Sequence, residues 1–197
     1  MSTNKKTLKM VQLAFLLALV IVLQLFGSSV KIGPTSFSLV LIPIAVGGIL
    51  LGKGAGAFLG FVFGLITLIA GITGTDVFTQ ILFQDHPFLT SLVCLGKGTA
   101  AGFGAGLIYE LLKNKQKFVA VFSAAAIAPI LNTGLFILGA LLMSDTLSAN
   151  FVADGSTVIY FLVIGCAGIN FIVEFLVNLV VSPGLYQAVN AISKRIK

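Results

Sequence analysis

Long apolar runs alternate along this chain with short breaks of glycine, proline or charge, and the pattern continues from one end to the other. A helix of about 20 apolar residues crosses the roughly 30 Å of membrane hydrocarbon. The breaks predict such helices at about 9–26, 37–52, 54–71, 87–112, 118–143 and 158–182. The second and third runs are short and separated only by Gly52-Lys53-Gly54, which predicts a tight hairpin, tilted or partly re-entrant. Beyond Pro183 the chain mixes Leu185, Tyr186, Val189 and Ile192 with Lys194, Arg195 and Lys197. A bend at Pro183 and a helical continuation along the membrane surface are expected there. The first run follows Lys5, Lys6 and Lys9 as a signal peptide would, but no small-x-small cleavage site leads into a soluble domain. It is expected to remain as the first helix. The fold class expected is an all-α membrane protein with six transmembrane helices, residues 1–197 forming a single domain.

Composition supports a lipid solvent. Of 197 residues, 58% are hydrophobic and 9% charged, too few polar groups to coat a soluble globule of this size. The net charge of +6 would suit nucleic acid, but the basic residues sit in clusters at the ends of apolar runs, where they report topology instead. In the six-span arrangement Lys5, Lys6, Lys9, Lys53, Lys113, Lys115, Lys117, Lys194, Arg195 and Lys197 share one side. That side, with both termini, is cytoplasmic by the positive-inside rule. Asp76, Asp85, Asp145 and Asp154 fall on the other side, with Lys31 as its only basic residue. The loops there, at 27–36, 71–86 and 144–157, are also the longer ones, so a site opening outward beneath them is expected.

Several residues could carry chemistry or contact. Gly56, Gly60 and Gly64, and likewise Gly98, Gly102 and Gly106, recur every four residues and put small faces on two helices, as internal packing requires. Ala14 and Ala18 make a shorter small face on the first helix, for which spacing favours internal packing over a partner helix. Lys97 interrupts the fourth run far from its ends, where a charge costs at least about 2.5–3.5 kcal/mol. Counting 1.5 Å per residue from the outer helix ends, Lys97, Asn132 and Asn170 lie about 15, 16 and 18 Å deep. One cation and two amides at one depth would suit a ligand with a carboxylate and further polar groups. The alternative is that Lys97 pairs with Glu174, about 9 Å deeper on the same count, while the asparagines brace helices. Cys94 and Cys166 read as buried free thiols, and the lone His86 lacks companion metal ligands. No HExxH, P-loop or Ser-His-Asp order is present, so neither a cofactor nor enzymatic activity is expected.

Taken together, these residues resemble the substrate-binding S components of bacterial energy-coupling factor (ECF) vitamin transporters. The similarity covers nearly the whole chain. It rests on the span count, the basic start, Ala14-xxx-Ala18, and the run from Leu39 through Pro43, Gly47, Gly48 and Gly52 into Gly56, Gly60 and Gly64. The resemblance implies a multi-pass protein of the bacterial cell membrane that binds a vitamin from outside. Transport would be driven by a transmembrane coupling subunit and two ATPase subunits, so this chain would bind no ATP. It implies docking of the coupling subunit on Ala14 and Ala18, and toppling of the S component within the membrane. Nickel- and cobalt-specific members begin Met-His, which Met1-Ser2 does not match, so metal transport is not expected.

Within that family, a buried cation favours a carboxylate vitamin and disfavours cationic thiamine. Pantothenate, with a carboxylate, two hydroxyls and an amide, matches Lys97, Asn132 and Asn170 best, and folate, riboflavin and biotin stay open. Two rivals lie outside transport. A membrane enzyme would need clustered titratable residues at one face, and a helical scaffold would use the polar layer for packing alone.

Overall fold

A computed structural model describes residues 5–27, 31–32, 35–36 and 39–196; Met1-Ser2, Lys197 and parts of the 27–36 loop lie outside them. Helix α1 covers Lys5–Gly27. A two-residue antiparallel pair, β1 (Lys31–Ile32) with β2 (Thr35–Ser36), follows it. The short α2 (Leu41–Leu51) ends at Gly52, whose φ of 101° suits glycine and turns the chain directly into α3 (Lys53–Ile72). The expected hairpin is therefore present. Eleven residues of α2 rise only about 16 Å, half a crossing.

The remaining spans are α5 (Pro87–Leu112), α6 (Lys117–Leu141) and a last helix that starts as α8 (Val158–Tyr160). That helix widens into a π segment at Phe161–Gly168 and continues as α9 (Ile169–Ile196). Five helices are long and apolar enough to cross a membrane, and α2 is the shorter apolar sixth. This is the all-helical membrane architecture that the runs predict.

Two outer loops hold helices that the apolar pattern does not announce, α4 (Val77–Asp85) and α7 (Ser144–Asn150). At Pro183 the expected helical continuation is present, and α9 runs through the proline without a break. Proline lacks the N–H that would bond the carbonyl four residues back, at Leu179. The hydroxyl of fully buried Ser182 donates to that carbonyl instead, at 2.6 Å. A side-chain donor thus repairs the ladder locally, and the helix persists.

The centre of the bundle is the contact between α3 and α5. Their glycine faces meet each other: a Cβ placed on Gly56 would overlap the carbonyl oxygen of Gly102, one on Gly60 that of Gly98, and one on Gly64 that of Cys94. Backbone touches backbone along this seam, so both glycine trios serve internal packing. The body of α1 lies against it through Leu16 and Val20, which pack with Val40, Ile44 and Leu59. Gln24 of α1 also donates to Thr67 of α3 at 3.2 Å.

The two ends of the bundle differ in charge. At the basic end Lys53 pairs with Glu110 at 3.0 Å. Lys9 of α1 and Val189 of α9 border the same hollow there, so the first and last helices share this end. At the acidic end His86 donates to Asp145 at 3.0 Å and Thr146 donates to Asp85 at 2.7 Å. These contacts clasp α7 to the α4–α5 corner, over an apolar layer in which Phe78 and Leu82 meet Met143, Leu147 and Leu162.

Candidate functional site

A cavity of about 80 Å³ opens between α5, α6 and the last helix. Its lining comprises Lys97 from α5, then Asn132, Thr133 and Phe136 from α6. Cys166 and Ala167 of the π segment and Asn170 and Glu174 of α9 close it. The three polar residues placed at one depth by counting along the sequence are thus brought together. Glu174 joins them, although the same count set it deeper.

Each side chain is aimed by its helix. Phe136 lies three residues from Thr133 and four from Asn132, spacings that put side chains on one face of a helix. Asn132 and Asn170 are each 8% exposed and Glu174 7%, so the polar lining is nearly removed from surroundings. The Asn170 amide donates to the Cys166 carbonyl at 3.2 Å, tying the side chain to the π segment that precedes it. Asn178, one turn beyond Glu174, donates to the Glu174 carbonyl at 2.8 Å and serves the helix itself. In contrast, the Oδ1 of Asn132 is buried with no hydrogen-bond partner. An unpaired buried acceptor costs about 1–3 kcal/mol, which a donor entering the cavity would recover.

Lys97 is half-buried. Its Nζ lies 5.1 Å from the ring centre of Phe136 and 5.9 Å from that of Phe63. Ring faces are electron-rich, so two of them partly offset the cost of an ammonium at this depth. Among the described residues the ion pairs are Lys53 with Glu110 and His86 with Asp145, and Lys97 belongs to neither. Lys97 and Glu174, the pair of the alternative reading, line the same cavity.

Sequence reasoning missed the apolar part of the site. Phe136 both lines the cavity and packs into the outer aromatic layer, with its ring centre 6.1 Å from that of Phe78. Phe78 in turn lies 4.9 Å from Phe151, which stacks on Phe161 at 5.9 Å. The rings form a roof between the cavity and the acidic end. The four-residue spacing from Asn132 to Phe136 was the available signal. Among the described residues no three His, Cys, Asp or Glu side chains gather as metal ligands would.

Ala14 and Ala18 lie on the exposed side of α1, with Val11, Phe15 and Val22, while Leu16 and Val20 face the bundle. Internal packing, the expectation from spacing alone, is not their role here. Their small face is open to lipid or to another helix.

Comparison with known families gives a match over residues 8–186 to the substrate-specific component of ECF transporters. No individual curated protein matches the chain. Components of that family are integral membrane subunits that bind a small-molecule substrate and work with a membrane coupling subunit and ATPases; they are not themselves enzymes. With nearly its whole length matched, and with the helices and buried polar cavity described above, this chain belongs to the ECF transporter substrate-specific components.

Proposed function

We propose that the chain, as a single transmembrane substrate-binding domain, captures a carboxylate vitamin in the cavity beneath the aromatic roof, with pantothenate as the first candidate. The carrying observation is the convergence of one ammonium and two amides, from three helices, on one cavity. In this reading Lys97 holds the carboxylate, and Asn132 and Asn170 hold the hydroxyl and amide groups. The unpartnered Oδ1 of Asn132 takes a donor from the ligand. Ala14 and Ala18 receive the coupling subunit, which brings two ATPase subunits. The cavity of about 80 Å³ admits the carboxylate end of such a ligand. Pockets for whole ligands run to about 300–1,000 Å³, so the roof at Phe136 must move for the rest.

The test is equilibrium binding of labelled pantothenate, biotin, riboflavin, folate and thiamine to detergent-purified chain, followed by Lys97→Met. Pantothenate should bind most tightly and thiamine least. Removing the ammonium should weaken pantothenate binding by about 2–4 kcal/mol, roughly 30- to 1,000-fold in Kd. The unfolding midpoint should hold, since Met is welcome among Phe63 and Phe136. A stable Lys97→Met protein that binds every carboxylate vitamin at full strength refutes the assignment of Lys97. A collapse of stability with binding would instead show that Lys97 balances Glu174.

A further inference from the structure

A second hollow, of about 520 Å³, lies at the opposite, basic end of the bundle. It is bordered by Lys9 of α1, by Tyr109, Glu110, Lys113 and Asn114 at the end of α5, and by Lys117, the first residue of α6. Its floor is apolar, from the end of α2 and from Val189 of α9. Three lysines, one from α1 and two from the α5–α6 connection, therefore converge against one carboxylate, and that carboxylate is engaged by Lys53 at 3.0 Å. Among the described residues its lining therefore carries more basic than acidic side chains. Helix α6 adds to that positive balance, because its N-terminus has no side-chain cap and carries the positive end of the helix dipole.

Positive-side topology alone would scatter these lysines over the surface. Lys115 behaves that way, bordering a different depression with Leu112, Gln116 and Val119, where no second lysine among the described residues joins it. Lys9, Lys113 and Lys117 instead face one concavity of ligand size, with a phenol and an amide as further polar groups. We infer that this hollow is a phosphate-binding site, accepting a phosphate ester whose charged oxygens sit among Lys9, Lys113 and Lys117. At the end of the spans, two sources of that chemistry are at hand: the headgroup of an anionic phospholipid, whose chains would continue over the apolar floor, and a soluble phosphate. The inference is independent of the vitamin and of the outer cavity.

The test uses the full chain in micelles of a phosphate-free maltoside detergent and follows unfolding by the reaction of buried Cys94 and Cys166 with a thiol-reactive dye. One arm adds phosphatidylglycerol, and the other adds inorganic phosphate or pyrophosphate at constant ionic strength. Occupancy near saturation should raise the unfolding midpoint by about 5–10 °C. A rise with phosphatidylglycerol alone assigns the site to lipid, and a rise with the soluble ions as well assigns it to phosphate from either source. Lys9→Gln/Lys113→Gln/Lys117→Gln should lose the rise, whereas Lys115→Gln should keep it. The single change Lys113→Gln, which leaves two lysines to maintain the fold, should lose part of it. Absence of a rise with every probe, or an equal rise in the triple variant, overturns the proposal. So does an equal loss in Lys115→Gln, which would reduce the effect to general surface charge.

Discussion

Two phenylalanine rings lie beside an ammonium group in the middle of a span, and their electron density offsets part of the cost of a cation there. That is the chemistry of Lys97, and it explains why this residue was legible in the sequence. A lysine, two asparagines and a glutamate stand out in apolar runs, and helical rise alone sets the depth of the first three. Phe136 and Thr133 stand out less, since one Phe among 17 carries no mark of its own and only the four-residue spacing from Asn132 points to it. The same scale holds the clasp at the acidic end. Asp145 is held below its ordinary carboxylate value of 3.8, first by the backbone N–H of Thr146 and then by His86. A lowered native value means that the unfolded chain takes up the proton more readily. The contribution is therefore complete above 3.8 and lost as pH falls through the lowered value. Comparing unfolding midpoints of the native chain and Asp145→Asn across pH should give a constant gap above about pH 5 that closes below 3.8. A gap that widens in acid would show that the clasp works otherwise.

Between elements, the glycine seam of α3 and α5 imposes the tightest geometric demand. A methyl group on Gly60 would meet the backbone of Gly98, which cannot rotate away, so the two helices would have to separate. Gly96 is on the same α5 helix, yet a Cβ there would meet nothing within 4 Å. Gly60→Ala should therefore destabilise the chain by about 1–3 kcal/mol. Gly96→Ala should stay within about 0.5 kcal/mol. Thermal unfolding of the two variants in one detergent separates these outcomes, and equal effects would remove the seam's special status. The seam and the main spans could be read from the sequence because four-residue repeats and long apolar runs are strong periodic signals. The short α4 and α7 could not, since Val77–Asp85 and Ser144–Asn150 are too brief and mixed to show a period. At Pro183 the sequence could not show how the helix continues: the carbonyl that the proline strands is satisfied by Ser182, a repair that only the folded geometry reveals.

For the molecule as a whole, α1 is the loosest attachment, held by one face while Phe15, Val22, Leu25 and Phe26 point outward. Ala14 and Ala18 lie on that outer side, clear of the cavity between α5, α6 and the last helix. Ala14→Trp or Ala18→Trp should leave vitamin affinity of the isolated chain within about twofold, which is the scatter of a neutral surface change. Co-purification with the coupling subunit, and uptake, should fall to background. Loss of affinity with assembly intact would return this face to internal packing. The seam has one more consequence, which concerns the time order of synthesis. Its two strips of glycine belong to neighbouring spans joined through the short α4, so the chain that closes it is complete once residue 112 has been made. The cavity receives its third wall only from residue 158 onward. On the proposed assignment of the cavity, a nascent chain released before that point would hold both glycine strips and lack the wall that carries Asn170, so competence for the ligand would arrive last, with the final span.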